Sequence, residues 1–143
     1  IADGRQQQGI DFFMAMINAP IKHIAVENPI GVMNTKFKKP DQIIQPYYFG
    51  DSFTKTTCLW LKDLPKLKHF HSVDLFNDTV THVNTSSEYK EWISKTTGKP
   101  KRQQMWYYNA LLQAKTKEER QTLRSKTFEG MAQAFAEQWG GIF

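Results

Sequence analysis

Ile24-Ala25-Val26-Glu27-Asn28-Pro29-Ile30-Gly31 is an apolar, partly β-branched run that ends abruptly in a carboxylate, an amide, a proline and a glycine. Together with the residues just before it, the run predicts a buried parallel strand over Ile21–Val26. Such a strand is covered on both faces, and its carboxyl end opens into a ligand crevice. A carboxylate at that edge is costly to desolvate unless it has a partner or a chemical task. Glu27 is therefore the first candidate for chemistry. The alternative is an acid that only caps the loop behind it, as strand-end acids often do.

Upstream, Ile10, Phe13, Met14 and Ile17 recur at i, i+3, i+4 and i+7 and predict a helix over Arg5–Asn18, stopped ahead of Pro20. An α/β chain that opens on a helix feeding a buried strand lacks the strand that should come before, so the sequence reads as a piece of a larger protein. Downstream, a polar loop carries Asn34, three lysines and Pro40. The β-rich runs Ile43–Phe49 and Thr56–Leu61 flank Gly50-Asp51-Ser52 and predict an antiparallel hairpin, closed by Leu64-Pro65.

Residues 66–84 show only weak strand alternation. Thr85-Ser86-Ser87-Glu88 has the form of a capping box and predicts a short helix bearing Tyr89, Trp92 and Ile93. Lys95–Arg102 reads as a basic loop holding Lys95, Lys99, Lys101 and Arg102. Gln103–Ala114 reads as helix, and Thr116-Lys117-Glu118-Glu119 can cap another. Phe128, Met131, Ala132, Phe135, Ala136 and Trp139 form one apolar helical stripe, ended by Gly140-Gly141.

The bulk numbers bound the function. At 143 residues, with 40% hydrophobic and 13% aromatic content, the chain can build one domain with a real core. A net charge of +5 permits an anionic partner such as nucleic acid without demanding one. One cysteine excludes an internal disulfide and fits a reducing cytoplasm. No apolar run reaches the roughly 18 residues of a membrane span, and no leader pattern opens the chain. Cys58, mid-strand between Thr57 and Leu59, reads as a small buried thiol. His69, His71 and His82 match no zinc-ligand spacing, so no metal is expected. The cations of Lys95–Arg102, followed by Met105-Trp106-Tyr107-Tyr108, fit a phosphate-gripping surface and a solvated surface equally well.

Three stretches carry a resemblance. Ala25-Val26-Glu27-Asn28-Pro29 resembles the strand-end Glu-Asn motif of DNA cytosine-5 methyltransferases. Gln45-Pro46-Tyr47-Tyr48-Phe49-Gly50 through Lys55-Thr56-Thr57-Cys58-Leu59-Trp60-Leu61 sits where that family places its next two strands. Arg124-Ser125-Lys126-Thr127-Phe128-Glu129-Gly130-Met131-Ala132-Gln133-Ala134-Phe135-Ala136 is similar to the terminal helix of phage- and prophage-type members. Pro29 stands where most members have valine, as in the phage-type subset. Gln45 and Lys55 stand in for the usual Gln-x-Arg-x-Arg pattern of the hairpin.

The resemblance implies the C-terminal half of such an enzyme: a partial Rossmann-like α/β sheet with a small, mostly helical insertion. Residues 1–65 would be the sheet, 66–123 the insertion with possible DNA contacts, and 124–143 a helix packing back. It further implies that Glu27 hydrogen-bonds and protonates the ring nitrogen of a flipped-out cytosine while Asn28 orients the loop or the base. Gln45, Lys55, Lys95, Lys99, Lys101 and Arg102 would meet DNA. The glycine-rich loop for S-adenosylmethionine and the Pro-Cys nucleophile belong to an upstream N-terminal half, since this sequence has neither. The other function class is a non-catalytic nucleic-acid-binding or interaction module derived from such an enzyme.

Overall fold

A computed structural model of the chain describes residues 4–69 and 89–142. The fold is mixed α and β, with small antiparallel sheets and five α-helices among the described residues. Helix α1 (Arg5–Ile17) leads to strand β1 (Ile24–Pro29), a four-residue helix α2 (Met33–Lys36) and strand β2 (Gln42–Ile44). A 3-10 turn over Pro46–Phe49 and a loop then bring the chain to strand β3 (Thr57–Lys62).

The sheet order is β1-β3-β2, and both pairings are antiparallel, with Val26 opposite Trp60, Glu27 opposite Leu59 and Ile44 opposite Thr57. This corrects the parallel strand expected over Ile21–Val26. The strand begins three residues later, Ile21 is 57% exposed, and Ala25 is also exposed. An apolar run does not specify its partner's direction, and the nearest partner is the returning strand of the hairpin.

Alternation along the strands separates two cores. On one face Val26, Cys58 and Trp60 meet Phe13 and Ile17 of α1, which lie four residues apart as the helical stripe requires. The Phe13 ring stands edge-on to Trp60 at 5.0 Å, and the Trp60 indole N–H donates to the Lys38 carbonyl at 2.9 Å. On the other face Ile44 and Leu59 pack with Leu67 and with Met131 and Trp139 of α5 (Glu129–Trp139). Gln42 ties Leu67 down through both amide atoms, at 2.9 and 2.8 Å, and the Trp139 indole N–H donates to the Pro65 carbonyl at 3.0 Å.

The second sheet is a two-stranded ribbon, β4 (Tyr89–Ile93) with β5 (Pro100–Gln104), followed by α3 (Met105–Gln113) and α4 (Lys117–Ser125). It replaces the helix expected to carry Tyr89, Trp92 and Ile93; the capping residues Thr85–Glu88 lie outside the described residues, as do His71 and His82. Tyr, Trp and Ile favour strands, and the partner strand satisfies their backbone groups, which outweighs a three-and-four spacing. Among the described residues, 89–125 are therefore a ribbon followed by two helices, where a mostly helical segment was expected. The cap of α4 forms as expected: Thr116 Oγ1 accepts from the Glu119 N–H at 3.1 Å while Glu119 accepts from the Thr116 N–H. No helix among the described residues is long and apolar enough to cross a membrane.

Candidate functional site

Glu27 lies at the carboxyl-terminal side of β1, half-buried on the face that carries Leu59. Lys55, in the loop leading into β3, brings its ammonium to 3.9 Å from one carboxylate oxygen. The Thr127 hydroxyl donates to the other at 3.4 Å, across 100 residues of sequence. The Lys55 ammonium also donates to the Lys126 carbonyl at 3.4 Å, so one lysine joins the strand-end acid to the segment between α4 and α5. The carboxylate thus has a cation on one side and a hydroxyl donor on the other, and part of it still faces solvent. Such an acid can accept hydrogen bonds from a ligand and exchange a proton with it.

Gln45 holds Lys55 in place. Its carbonyl oxygen accepts from the Lys55 N–H at 2.9 Å, and its amide donates to the Thr56 hydroxyl at 2.7 Å. Both ends of the Gln45 amide are used in bracing the loop, so its place is behind Lys55. Asn28 follows Glu27 by one residue and so points to the opposite face of β1, alongside Val26 and opposite Cys58. Cys58 is fully buried, and its sulfur receives the Asn34 amide at 3.6 Å.

Asp51 sets the position of α5. Its carboxylate accepts from the Gly130 N–H at 3.1 Å, at the helix N-terminus where backbone donors are unpaired. Burial pushes the Asp51 carboxyl above its ordinary range; the Gly130 and Met131 N–H groups pull back, and the neighbouring Glu129 adds to the push. Gly130 is required by contact: a Cβ there would come within 2.3 Å of the Phe49 carbonyl oxygen.

The four cations expected to meet DNA lie apart from Glu27. Lys95 and Lys99 are in the ribbon's turn, Lys101 and Arg102 are on β5, and all four are exposed. The ribbon is nevertheless fastened to the same loop. The Gln104 side-chain amide donates through Nε2 to the Thr54 carbonyl at 2.9 Å and to the Thr54 hydroxyl, and the Thr54 N–H donates to the Gln104 side-chain Oε1 at 3.2 Å, one residue from Lys55. Thr127, Thr54 and Gln104 carry no local sequence signal of these roles; only the fold brings them together.

A separate cavity of about 810 Å³ lies between α5 and residues 65–69, with Phe49, His69, Gly130, Ala134 and Gln138 in its wall. It shares no residue with the Glu27 cluster. Among the described residues no group of three or more His, Cys, Asp or Glu side chains is arranged to hold a metal ion. Gly31, behind β1, leads only into the four-residue α2, too short to present a helix N-terminus to a cofactor. Compared with protein-family models, curated proteins and solved structures, the chain matched none of them.

Proposed function

We propose that this chain is the C-terminal portion of a DNA (cytosine-5)-methyltransferase-like protein, with Glu27 as its acid. The observation that supports this reading is convergence. The three stretches that resemble the family are far apart in sequence, and each sends a residue to one point: Glu27, Lys55 and Thr127. The described sheet would be the antiparallel margin of a larger Rossmann-like sheet, an arrangement that doubly wound sheets accommodate. Among the described residues the outer edge of β1 pairs with no other strand, which leaves room for the strands of an N-terminal half.

In this reading cytosine leaves the stack, because its target carbon cannot be reached inside a duplex. Glu27 hydrogen-bonds and protonates the ring nitrogen, which makes the neighbouring carbon electrophilic enough for thiolate attack. Lys55 and Thr127 hold the carboxylate in place for that transfer. The sequence holds neither the glycine-rich loop for S-adenosylmethionine nor the Pro-Cys pair, so in this reading the methyl donor and the thiolate belong to an N-terminal half. The alternative, a non-catalytic nucleic-acid-binding or interaction module, draws on the exposed basic ribbon and needs no acid at all.

The test uses the full-length protein and transfer of labelled methyl groups to duplex DNA. Glu27→Gln keeps size and hydrogen bonding but cannot deliver a proton. We expect it to lower turnover by about 10²–10⁴-fold without moving the melting curve. A near-normal rate would return Glu27 to the role of a loop cap. Robust methylation by this chain alone would also sink the proposal.

A further inference from the structure

The β4–β5 ribbon is built unlike the rest of the fold. Tyr89 and Trp92 are each 39% exposed and Ile93 is 63% exposed, although such side chains are normally withdrawn from water. Residues 89–104 carry five cations (Lys90, Lys95, Lys99, Lys101 and Arg102) against the single carboxylate of Glu91. The turn is well specified. The Ser94 N–H donates to the Lys99 carbonyl at 2.9 Å, the Gly98 N–H donates to the Ser94 carbonyl at 2.8 Å, and Gly98 takes the left-handed backbone that suits glycine (φ 65°).

The register divides the ribbon into two faces. Lys90, Trp92, Lys101 and Gln103 share one face, and this face turns toward α3: Trp92 lies 6.5 Å from the Tyr108 ring and the Lys90 ammonium 5.8 Å from it. Tyr89, Glu91 and Ile93 share the other with Gln104, Arg102 and Pro100, and Glu91 stands directly opposite Arg102. The Arg102 guanidinium lies over the Tyr89 ring at 4.3 Å, on this same face.

We propose that this second face enters the major groove of duplex DNA, and that the cross-strand pair Glu91 and Arg102 reads one G·C base pair. A two-stranded ribbon fits that groove. Arginine donates bidentately to guanine O6 and N7, and a glutamate accepts from the cytosine amino group, so the two side chains match the two halves of one pair. Their Cβ atoms stand about 5 Å apart by the geometry of directly opposed residues, which suits adjacent base edges. Lys95 and Lys99, in the turn, meet phosphates and fix the approach. The excess of cations at an exposed apolar surface favours a polyanion over a protein partner. The inference takes from the preceding reading only that the partner is DNA; it requires no methyl transfer.

The experiment uses the chain as it stands and a fluorescently labelled pool of 20-base-pair duplexes with a randomised centre. Selection by the wild type is expected to fix a G·C pair at one position or more. Arg102→Lys keeps charge and strand but loses the fork, and Glu91→Gln exchanges a charged acceptor for a neutral amide whose donor-plus-acceptor pattern suits adenine instead. Each should reduce preference for that pair on the order of 10- to 100-fold. Replacing Lys95 and Lys99 by Ala should weaken all duplexes alike and reduce the slope of log affinity against log salt by about 0.9 per lost phosphate contact. An A-form RNA duplex, whose major groove is too narrow for side chains to read, should bind more weakly and show no such preference. Unchanged Trp92 emission, recorded in a background in which Trp60, Trp106 and Trp139 are replaced by Phe and which itself keeps the circular dichroism spectrum of the natural chain, confirms that the ribbon has kept its fold. The proposal is overturned by no binding to any duplex, by unchanged base preference in Arg102→Lys and Glu91→Gln, or by equal binding to the RNA duplex. A null result in the methyltransferase assay would leave it standing.

Discussion

Replacing Gly130 by alanine sets two known effects against each other. In most helices the change stabilises, by up to about 1 kcal/mol, because glycine has more backbone freedom to lose. Here the new Cβ would lie 2.3 Å from the Phe49 carbonyl oxygen, 2.8 Å from an Asp51 carboxylate oxygen and 3.1 Å from the Phe49 carbonyl carbon. Two of these are backbone atoms and cannot swing aside, so α5 must move off the 3-10 turn. Overpacking of this kind costs about 1–3 kcal/mol. The movement also stretches the Gly130–Asp51 hydrogen bond of 3.1 Å, and bonds to charged groups contribute about 1.5–3 kcal/mol. Setting the helix gain against these losses leaves a net destabilisation of about 2–4 kcal/mol. At about 2–4 °C per kcal/mol for chains somewhat longer than this one, the Tm should fall by roughly 5–15 °C. Thermal and urea unfolding followed by tryptophan fluorescence measure it. In an Asp51→Asn background the cost should shrink by the share that belongs to the hydrogen bond. An unchanged or raised Tm would refute the argument, because ordinary helix propensity would then have won.

Two further outcomes concern stability. Burial pushes the Asp41 carboxyl upward, but the Leu61 N–H at 2.7 Å, the Lys38 ammonium at 3.1 Å and Lys66 together hold it below its ordinary value. A lowered folded-state value gives stability that is present above about pH 4 and lost as pH falls through that value, so Asp41→Asn should flatten the acid limb of stability measured by urea midpoints. Asp51, raised, works in the opposite sense, its contribution being present at low pH and lost as pH rises. A mutant that loses stability in acid as steeply as the wild type would discount the Asp41 contacts. Cys58→Ala, at a fully buried site, should cost about 1 kcal/mol in unfolding measurements and leave methyl transfer by the full-length protein unchanged. Loss of activity with an unchanged melting curve would give the thiol a chemical role instead.

The parts of the fold legible in the sequence are those set by local rules. The stripe of Phe13 and Ile17, the cap of Thr116 and Glu119, and the stripe of Met131 and Trp139 each act within a turn or two of helix, and each element forms where its pattern places it. That these two segments pair antiparallel was legible too, but the strand expected over Ile43–Phe49 covers only Gln42–Ile44: Pro46–Phe49 winds into a 3-10 turn because proline presets its start and α5 packs over it. Strand direction and the ribbon were not legible, since both depend on which distant segment supplies the partner. The candidate site divides the same way. Glu27 stands out in its own segment, whereas Thr127 meets it only because Asp51 and Gly130 seat α5, and no window of sequence contains that cause.

The dependence of the second core on α5 also sets a timetable for synthesis. Helix α1, β1 and β3 can close around Trp60 as soon as residue 62 is free of the ribosome. Among the described residues, the opposite face of the same sheet is closed only when Met131 and Trp139 emerge, and Trp139 meets its partner Pro65 across 74 residues. At 5–20 residues per second that is a wait of about 4 to 15 seconds, during which Leu59, Ile44 and Leu67 lie open to water and to neighbouring nascent chains.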